Sequence, residues 1–305
     1  MRPLRAHRPA TVILTACLVA ALTACAAPDE ATPAPGGNAD TKSLTKDDAI
    51  NAKLPADIRS AGKVRVASGV SFPPMEFFDT DNKTVLGFDA DLGKALGQVT
   101  GVTFEFSNVN FDGIIGGLEA GRYDLALTGM LDKKSRQEKV DFVDYLKSGT
   151  AIMVAKGNPV GVKTTEDLCG HTVAVEKGSS GDLTADDITK KCTAAGKPAV
   201  SKQPYPDQAS AVTALQSKRA EAVLALDLTL AYTVKQGNGA FELAGEPFDT
   251  LPVGCAVPKS KPELRDAVQA ALKKVIDSGV YDQLLTKWGL EKQALRDAPI
   301  NAGTV

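Results

Sequence analysis

Residues 102–128 read VTFEFSNVNFDGIIGGLEAGRYDLALT. VTFEFS (102–107) alternates as a strand does, FDGIIGGLEAG (111–121) is an apolar helical segment closed by glycine, and YDLALT (123–128) is a second β-rich run. A strand, a helix and a strand in so short a stretch form a unit whose strands run parallel, since the helix carries the chain back to the edge where it started. Outward from this unit the pattern repeats. VRVAS (64–68) predicts a buried strand and GFDADLGKALGQVTG (87–101) a helix ended by Gly101. A second run predicts strands at TAIMVAKG (150–157), TVAVE (172–176), AVSKQ (199–203) and EAVLAL (221–226). Helices fall between and after them at 178–192, 206–220 and 227–237. The alternation implies an α/β fold with a mostly parallel sheet flanked by helices on both faces.

Two such runs imply two lobes, joined by the segments near 147–152 and 246–254. VGCAVPKS (253–260), a helix over 261–279 and a helix over 280–290 return the chain to the first lobe. In the first of these helices Leu264, Val268, Ala271, Leu272, Val275 and Ile276 share one face, as a packed helix requires. The expected organisation is a signal at 1–24, a lipidated cysteine and tether running into the fold at 25–60, and lobe 1 at 61–149. Lobe 2 at 150–250, the return to lobe 1 at 251–292 and a tail at 293–305 follow.

The first 24 residues carry Arg2, Arg5 and Arg8, then an apolar stretch from Thr11 to Ala24 too short to span a bilayer, the pattern of a secretory signal. Leu22-Thr23-Ala24-Cys25 resembles a bacterial lipobox, which implies lipidation at Cys25 and a chain tethered to the outer face of the cell membrane. The Pro-, Ala- and Gly-rich residues 26–44 have almost nothing to bury and form the tether. Over the whole chain Lys and Arg number 35 against 37 Asp and Glu, a net charge of −2. Without the signal's three arginines the balance is more acidic still, which argues against nucleic acid as a partner. One histidine, His171, remains after the signal, so His-based metal sites and Ser-His-Asp chemistry are poor expectations; no metal and no cofactor are expected. His171 is placed in a solvent-facing turn with no chemistry assigned.

Cys17 leaves with the signal and Cys25 carries lipid. Cys169 and Cys192, with one strand between them, are the expected disulfide, and Cys255 in the apolar LPVGCAV is the expected buried free thiol; a pairing through Cys255 is the alternative.

Seven stretches in order, VRVASGVSFPPMEFF, LGFDADLGKAL, NFDGIIGGLEAGRYDLALTGM, SRQEKVDFVDY, DLCGHTVAVEKGSSG, AVLALD and IDSGVYDQLLTKWGL, resemble the polar-amino-acid class (family 3) of bacterial ABC-transporter solute-binding proteins over residues 60–290. The resemblance implies a two-lobed periplasmic-binding-protein fold of type II that closes by a hinge on an amino acid. It implies delivery to an ABC permease, no enzymatic activity and a monomer. It also implies the ligand residues. Arg136 sits several residues after the small turn Thr128-Gly129-Met130-Leu131, where the family's carboxylate clamp lies, and a guanidinium fork matches a carboxylate with two parallel hydrogen bonds. Gly129 and Leu131 would offer backbone donors, although Leu131 stands where a Ser or Thr hydroxyl is usual; Thr128 is the nearby substitute. Ser179 and Ser180, at a helix start, would complete the carboxylate site, as well as capping the helix. Asp227 would take the ammonium, and Phe72 and Phe111 would wall the ligand. Lys133, Lys134 and Lys139 are expected to stay solvated.

Gly69 falls where binders of basic amino acids often carry an Asp, with Glu76 and Asp132 as the candidate substitutes, so a polar or acidic amino acid is favoured. Two other readings remain: an extracytoplasmic enzyme resembling cyclohexadienyl dehydratases, which would need a general acid or base in the cleft, and a sensor that docks on a membrane receptor.

Overall fold

The computed structural model describes residues 44–305. The expected signal, Cys17, Cys25 and the tether up to residue 43 lie outside the described residues. Two short helices, α1 (Asp48–Lys53) and α2 (Ala56–Ala61), lead into β1 (Lys63–Ser68). A small hairpin follows, β2 (Phe77–Phe78) and β3 (Val85–Leu86), then α3 (Phe88–Thr100), β4 (Thr103–Asn108), α4 (Ile114–Glu119) and β5 (Leu125–Ala126). A short helix α5 (Lys134–Gln137) precedes the long β6 (Val140–Ala155). The middle of the chain supplies β7 (Thr172–Glu176), α6 (Ser180–Ala194), β8 (Ser201–Tyr205), α7 (Gln208–Gln216), β9 (Ala222–Leu226) and α8 (Asp227–Gln236). The long β10 (Phe241–Pro258) and helices α9 (Pro262–Asp277) and α10 (Val280–Trp288) complete the elements.

The main sheet has eight strands in the order β4-β1-β5-β10-β6-β9-β7-β8. Its two ends are parallel, as the alternation required: β1 pairs with β4 and β5, and β7 with β8 and β9. The two centre strands are antiparallel to each other and to their neighbours. Each lobe therefore has a parallel half-sheet, and the halves are joined by β6 and β10, which run through both. The expected crossings near 147–152 and 246–254 lie inside these strands rather than in loops. The β6–β10 ladder is irregular at that point, with register shifts between Ala244 and Phe248, Phe248 and Leu251, and Val253 and Gly254. Such breaks in a ladder are where a sheet bends.

Helices α3, α9 and α10 cover the first lobe. Leu264, Val268, Ala271, Leu272 and Val275 are all buried there, so the amphipathic face of α9 is the packed one. The residues after α10 also pack: the Tyr281 hydroxyl donates to the Tyr145 carbonyl and accepts from the Leu295 N–H, and Asn301 and Ala302 bond to the β6 edge at Phe142 and Asp144. In the second lobe Cys169 and Cys192 form a disulfide, and Cys255 is a buried free thiol whose ionisation burial pushes far up. His171 is half-buried beside Glu221, its Nδ1 3.2 Å from the carboxylate. No described helix is long and apolar enough to cross a membrane.

Candidate functional site

The carboxyl ends of β1, β5, β7 and β9 converge where the lobes face each other, the place open α/β sheets offer to ligands. From the first lobe Phe72, Phe111, Gly129 and Leu131 line a cavity there. From the second come Glu176, Ser179, Ser180, Gly181, Gln208, Ala225 and Leu226. The space left between them is about 20 Å³, room for a single water, so the lobes are nearly closed on each other. A much larger groove, about 1010 Å³, opens between Lys133, Ser135 and Val305 on one side and Asp186, Asp187 and Lys190 of α6 on the other. Its walls mix charged side chains with Leu183, Ile188 and Phe248, and it contains none of the expected ligand residues.

Arg136 turns inward from α5 and is 5 % exposed. Its Nη1 donates to the Leu131 carbonyl at 2.9 Å and lies 3.5 Å from the Ser180 hydroxyl, while Nη2 donates across the cleft to the Gly178 carbonyl at 3.1 Å. The guanidinium stacks over Phe111, 5.4 Å from the ring centre. It bonds no carboxylate among the described residues, and burial pulls it down to about 10, against the opposing pull of Asp132 and Glu176. Of its neighbours, Lys134 and Lys139 are exposed and Lys133 is half-buried.

The turn before Arg136 is braced from behind. Gly129 adopts φ +55°, and its N–H donates to Asp89 Oδ2 at 2.8 Å, so this donor is spent within the fold. The Thr128 hydroxyl accepts from the Gly69 N–H and donates to Glu76, both at 2.9 Å, and is not on the cavity wall. Leu131 meets Val253 in an antiparallel bridge. The ladder bonds there come from its neighbours, Gly254 N–H to the Met130 carbonyl and Asp132 N–H to the Pro252 carbonyl, which leaves the Leu131 N–H outside the ladder.

Glu76 and Asp132 do not reach the ligand space. Both are fully buried: Glu76 holds Thr128, and Asp132 accepts from Gln137 and from the Gly303 N–H. Burial and the neighbouring Asp89 push Glu76 well above the ordinary carboxylate range.

Across the cleft Ser179 caps α6 by accepting from the Asp182 N–H at 3.2 Å, and Ser180 is its first helical residue. Gly181 is required there, because a Cβ would lie 2.2 Å from the Leu224 carbonyl oxygen. Lys177 reaches Asp112 of the first lobe at 2.9 Å, a second bridge between the lobes beside Arg136. Asp227 begins α8 but does not line the cavity. Its Oδ1 accepts from the Ser148 hydroxyl, from Gly149 N–H at 3.2 Å and from Leu228 N–H at 2.8 Å, which ties it to β6 at the crossing between lobes.

Six of the nine expected ligand residues thus line one cavity, Arg136 abuts it, and Thr128 and Asp227 face other partners. Glu176 and Gln208 were not anticipated. An acid ending a strand and an amide opening a helix both read as solvated in sequence; the one signal was their placement after TVAV and before ASAV, at strand and helix ends facing the cleft.

The comparisons agree with the two-lobed fold. The chain is 31 % identical over 255 residues to the arginine-binding protein ArgT of Corynebacterium glutamicum, covering 83 % of this chain and 82 % of that one. An ancestral arginine-binding protein, solved with arginine and with glutamine, is 35 % identical and superposes with TM-scores of 0.68 and 0.69, covering 74 % and 75 % of this chain and 98 % and 99 % of that one. An ancestral amino acid-binding protein described as a precursor of cyclohexadienyl dehydratase, AncCDT-1, is 32 % identical at a TM-score of 0.68, over 76 % of this chain and 97 % of that one. With the sequence profile of that family matching residues 64–291, this chain belongs to the bacterial extracellular solute-binding proteins, family 3.

Proposed function

We propose that the chain captures a free amino acid outside the cell membrane, where a lipid on Cys25 tethers it, and delivers it to an ABC importer when the lobes close. The observation that carries this is Arg136: a buried cation between the lobes with carbonyls but, among the described residues, no carboxylate for partners. An isolated buried charge is costly, and a ligand carboxylate is the partner that would offset it with a bidentate pair. Phe111 beneath the guanidinium and the start of α6 opposite complete a grip on an anion. Asp227 stands one residue beyond the cavity wall at Leu226, and its Oδ2 accepts no bond among the described residues, which suits it to the ammonium. The relatives named for arginine support an amino acid as the ligand.

The test is a thermal-shift screen of the purified chain against the common amino acids, repeated with Arg136→Ala. A ligand at a hundred times its Kd stabilises by about 2.7 kcal/mol. Stabilisation by an amino acid that disappears in the variant is the expected result; stabilisation retained in the variant removes Arg136 from the grip.

A dehydratase is the second reading, favoured by one observation: burial, Asp207 and Asp112 raise the Glu176 carboxyl to about 8, a poised general acid in the cleft. We propose binding without turnover, because the Arg136 arrangement is accounted for by binding alone. Release of phenylpyruvate from prephenate by the purified chain would reverse that choice.

A further inference from the structure

Glu176 ends β7 and Gln208 opens α7, and both face the cavity from the second lobe. Neither is needed for the carboxylate grip. Glu176 is 3 % exposed and Gln208 2 %, and neither the amide nitrogen nor the amide oxygen of Gln208 has a hydrogen-bond partner among the described residues. Folded chains seldom leave both groups of a buried amide unbonded, and a cavity wall is where a ligand would bond them. The charged groups facing Glu176 are Asp207 at the start of α7, Asp112 from the first lobe, and Arg136. Two of the three are acids, and the one cation already donates to the carbonyls of Leu131 and Gly178. The cavity wall therefore carries a carboxyl that no cation bonds among the described residues. Among the described residues Gln208 alone walls both this cavity and a neighbouring space of about 300 Å³, where the buried Thr229 hydroxyl likewise has no partner among them.

We infer that Glu176 and Gln208 form the side-chain subsite of the cleft and select an amino acid whose side chain ends in a cationic, multiply donating group, a guanidinium or an ammonium. The inference rests on the reading of Arg136 as the carboxylate clamp. Glu176 supplies the counter-charge and Gln208 Oε1 a further acceptor. A counter-charge from the second lobe also answers the lack of an acid at Gly69 in the first. Because burial and the two acids hold the Glu176 carboxyl up at about 8, a cation must displace its proton below that pH.

Titration calorimetry of the purified chain with arginine, lysine, citrulline and glutamine tests this, citrulline being arginine's neutral isostere. Arginine is expected to bind at least about tenfold tighter than citrulline at pH 8, and to lose about tenfold per pH unit below it, while citrulline changes little. Glu176→Gln should bring the arginine to citrulline ratio near one and abolish the pH dependence, with an unaltered circular dichroism spectrum and a cooperative melt as proof of folding. Equal affinity for arginine and citrulline in the wild type, or a cation preference that survives Glu176→Gln, overturns the inference. If neutral or acidic amino acids bind best and Arg136→Ala abolishes that binding, this subsite falls while the carboxylate clamp stands; if no amino acid binds, both fall.

Discussion

Arg136→Met separates what the arginine does for the fold from what it does for the ligand. The side chain is 5 % exposed and burial brings its guanidinium down to about 10. That depression disfavours the charged form in the folded state by about 3 kcal/mol at 1.36 kcal/mol per factor of ten. The sign is fixed: a cation with a lowered folded pKa weakens the fold at every pH below that value, so the penalty is fully present at neutrality. Methionine of similar length removes the penalty but leaves the buried Leu131 carbonyl without its donor, a loss on the order of 1–3 kcal/mol, while the half-buried Gly178 carbonyl stays open to solvent. The net is a ligand-free protein stabilised by about 1 kcal/mol, a rise in Tm of about 2–4 °C for a chain of this size. Differential scanning calorimetry with and without the best amino acid measures both effects. The expected outcome is a higher Tm without ligand and no further rise with it. A Tm several degrees lower in the ligand-free variant would refute the reasoning that the fold holds this cation at a cost, and a ligand-induced rise of wild-type size would refute its part in binding.

Three further outcomes follow from the structure. Reducing Cys169–Cys192, whose partners are 23 residues apart, should lower stability by about 3 kcal/mol in urea titrations run with and without reductant; coincident curves would remove the disulfide as a determinant. Burial raises the carboxyls of Asp89 to about 6 and Asp144 to about 7, so the folded chain keeps protons the unfolded chain releases near pH 4, and the urea midpoint should fall as pH rises from about 5 to 7; Asp144→Asn should flatten that slope, and an unchanged slope counts against the assignment. Gly69→Asp placed in the Glu176→Gln background should restore a preference for arginine over citrulline, since a Cβ at Gly69 meets only ordinary contacts, the nearest being Thr128 Oγ1 at 3.6 Å; no recovery in calorimetry means that an acid there does not reach the side chain.

What could be read in the sequence was whatever local pattern decides. Alternation placed the parallel half-sheets, whereas the inward turn of Arg136, 5 % exposed, was implied only by the family resemblance, since the charge of an Arg in KKSRQEK by itself says surface. The long strands β6 and β10 were not legible in full. Asp141, Asp144 and Lys147 interrupt the apolar run of β6, and those acids are tolerated only because distant partners meet them: Arg265 and Lys259 on Asp141, and the Ala302 N–H on Asp144. The same limit hid Glu76 and Asp132, which sequence leaves as candidates for the ligand and the fold consumes behind the cleft. Glu176 and Gln208 were missed because the burial of a lone polar residue at an element's end depends on the opposite lobe, which has no local signature.

The division of the site between lobes gives closure its chemical content. On the proposed reading the carboxylate meets Arg136 on the first lobe, the side chain meets Glu176 and Gln208 on the second, and the ammonium meets Asp227, which is held to Ser148 and Gly149 on β6 where the lobes join. A ligand shifts a hinged protein only by its differential affinity for the closed state. Contacts confined to one lobe are available in open and closed forms alike and drive nothing. An amino acid with its two ends on different lobes binds fully only when they meet, whereas a simple carboxylic acid would engage Arg136 and leave Glu176 unpaired. Moving the anion from the position of Gly69 to that of Glu176 therefore makes recognition of the side chain and closure of the cleft one event, since the same charge that selects the ligand also draws the second lobe onto it.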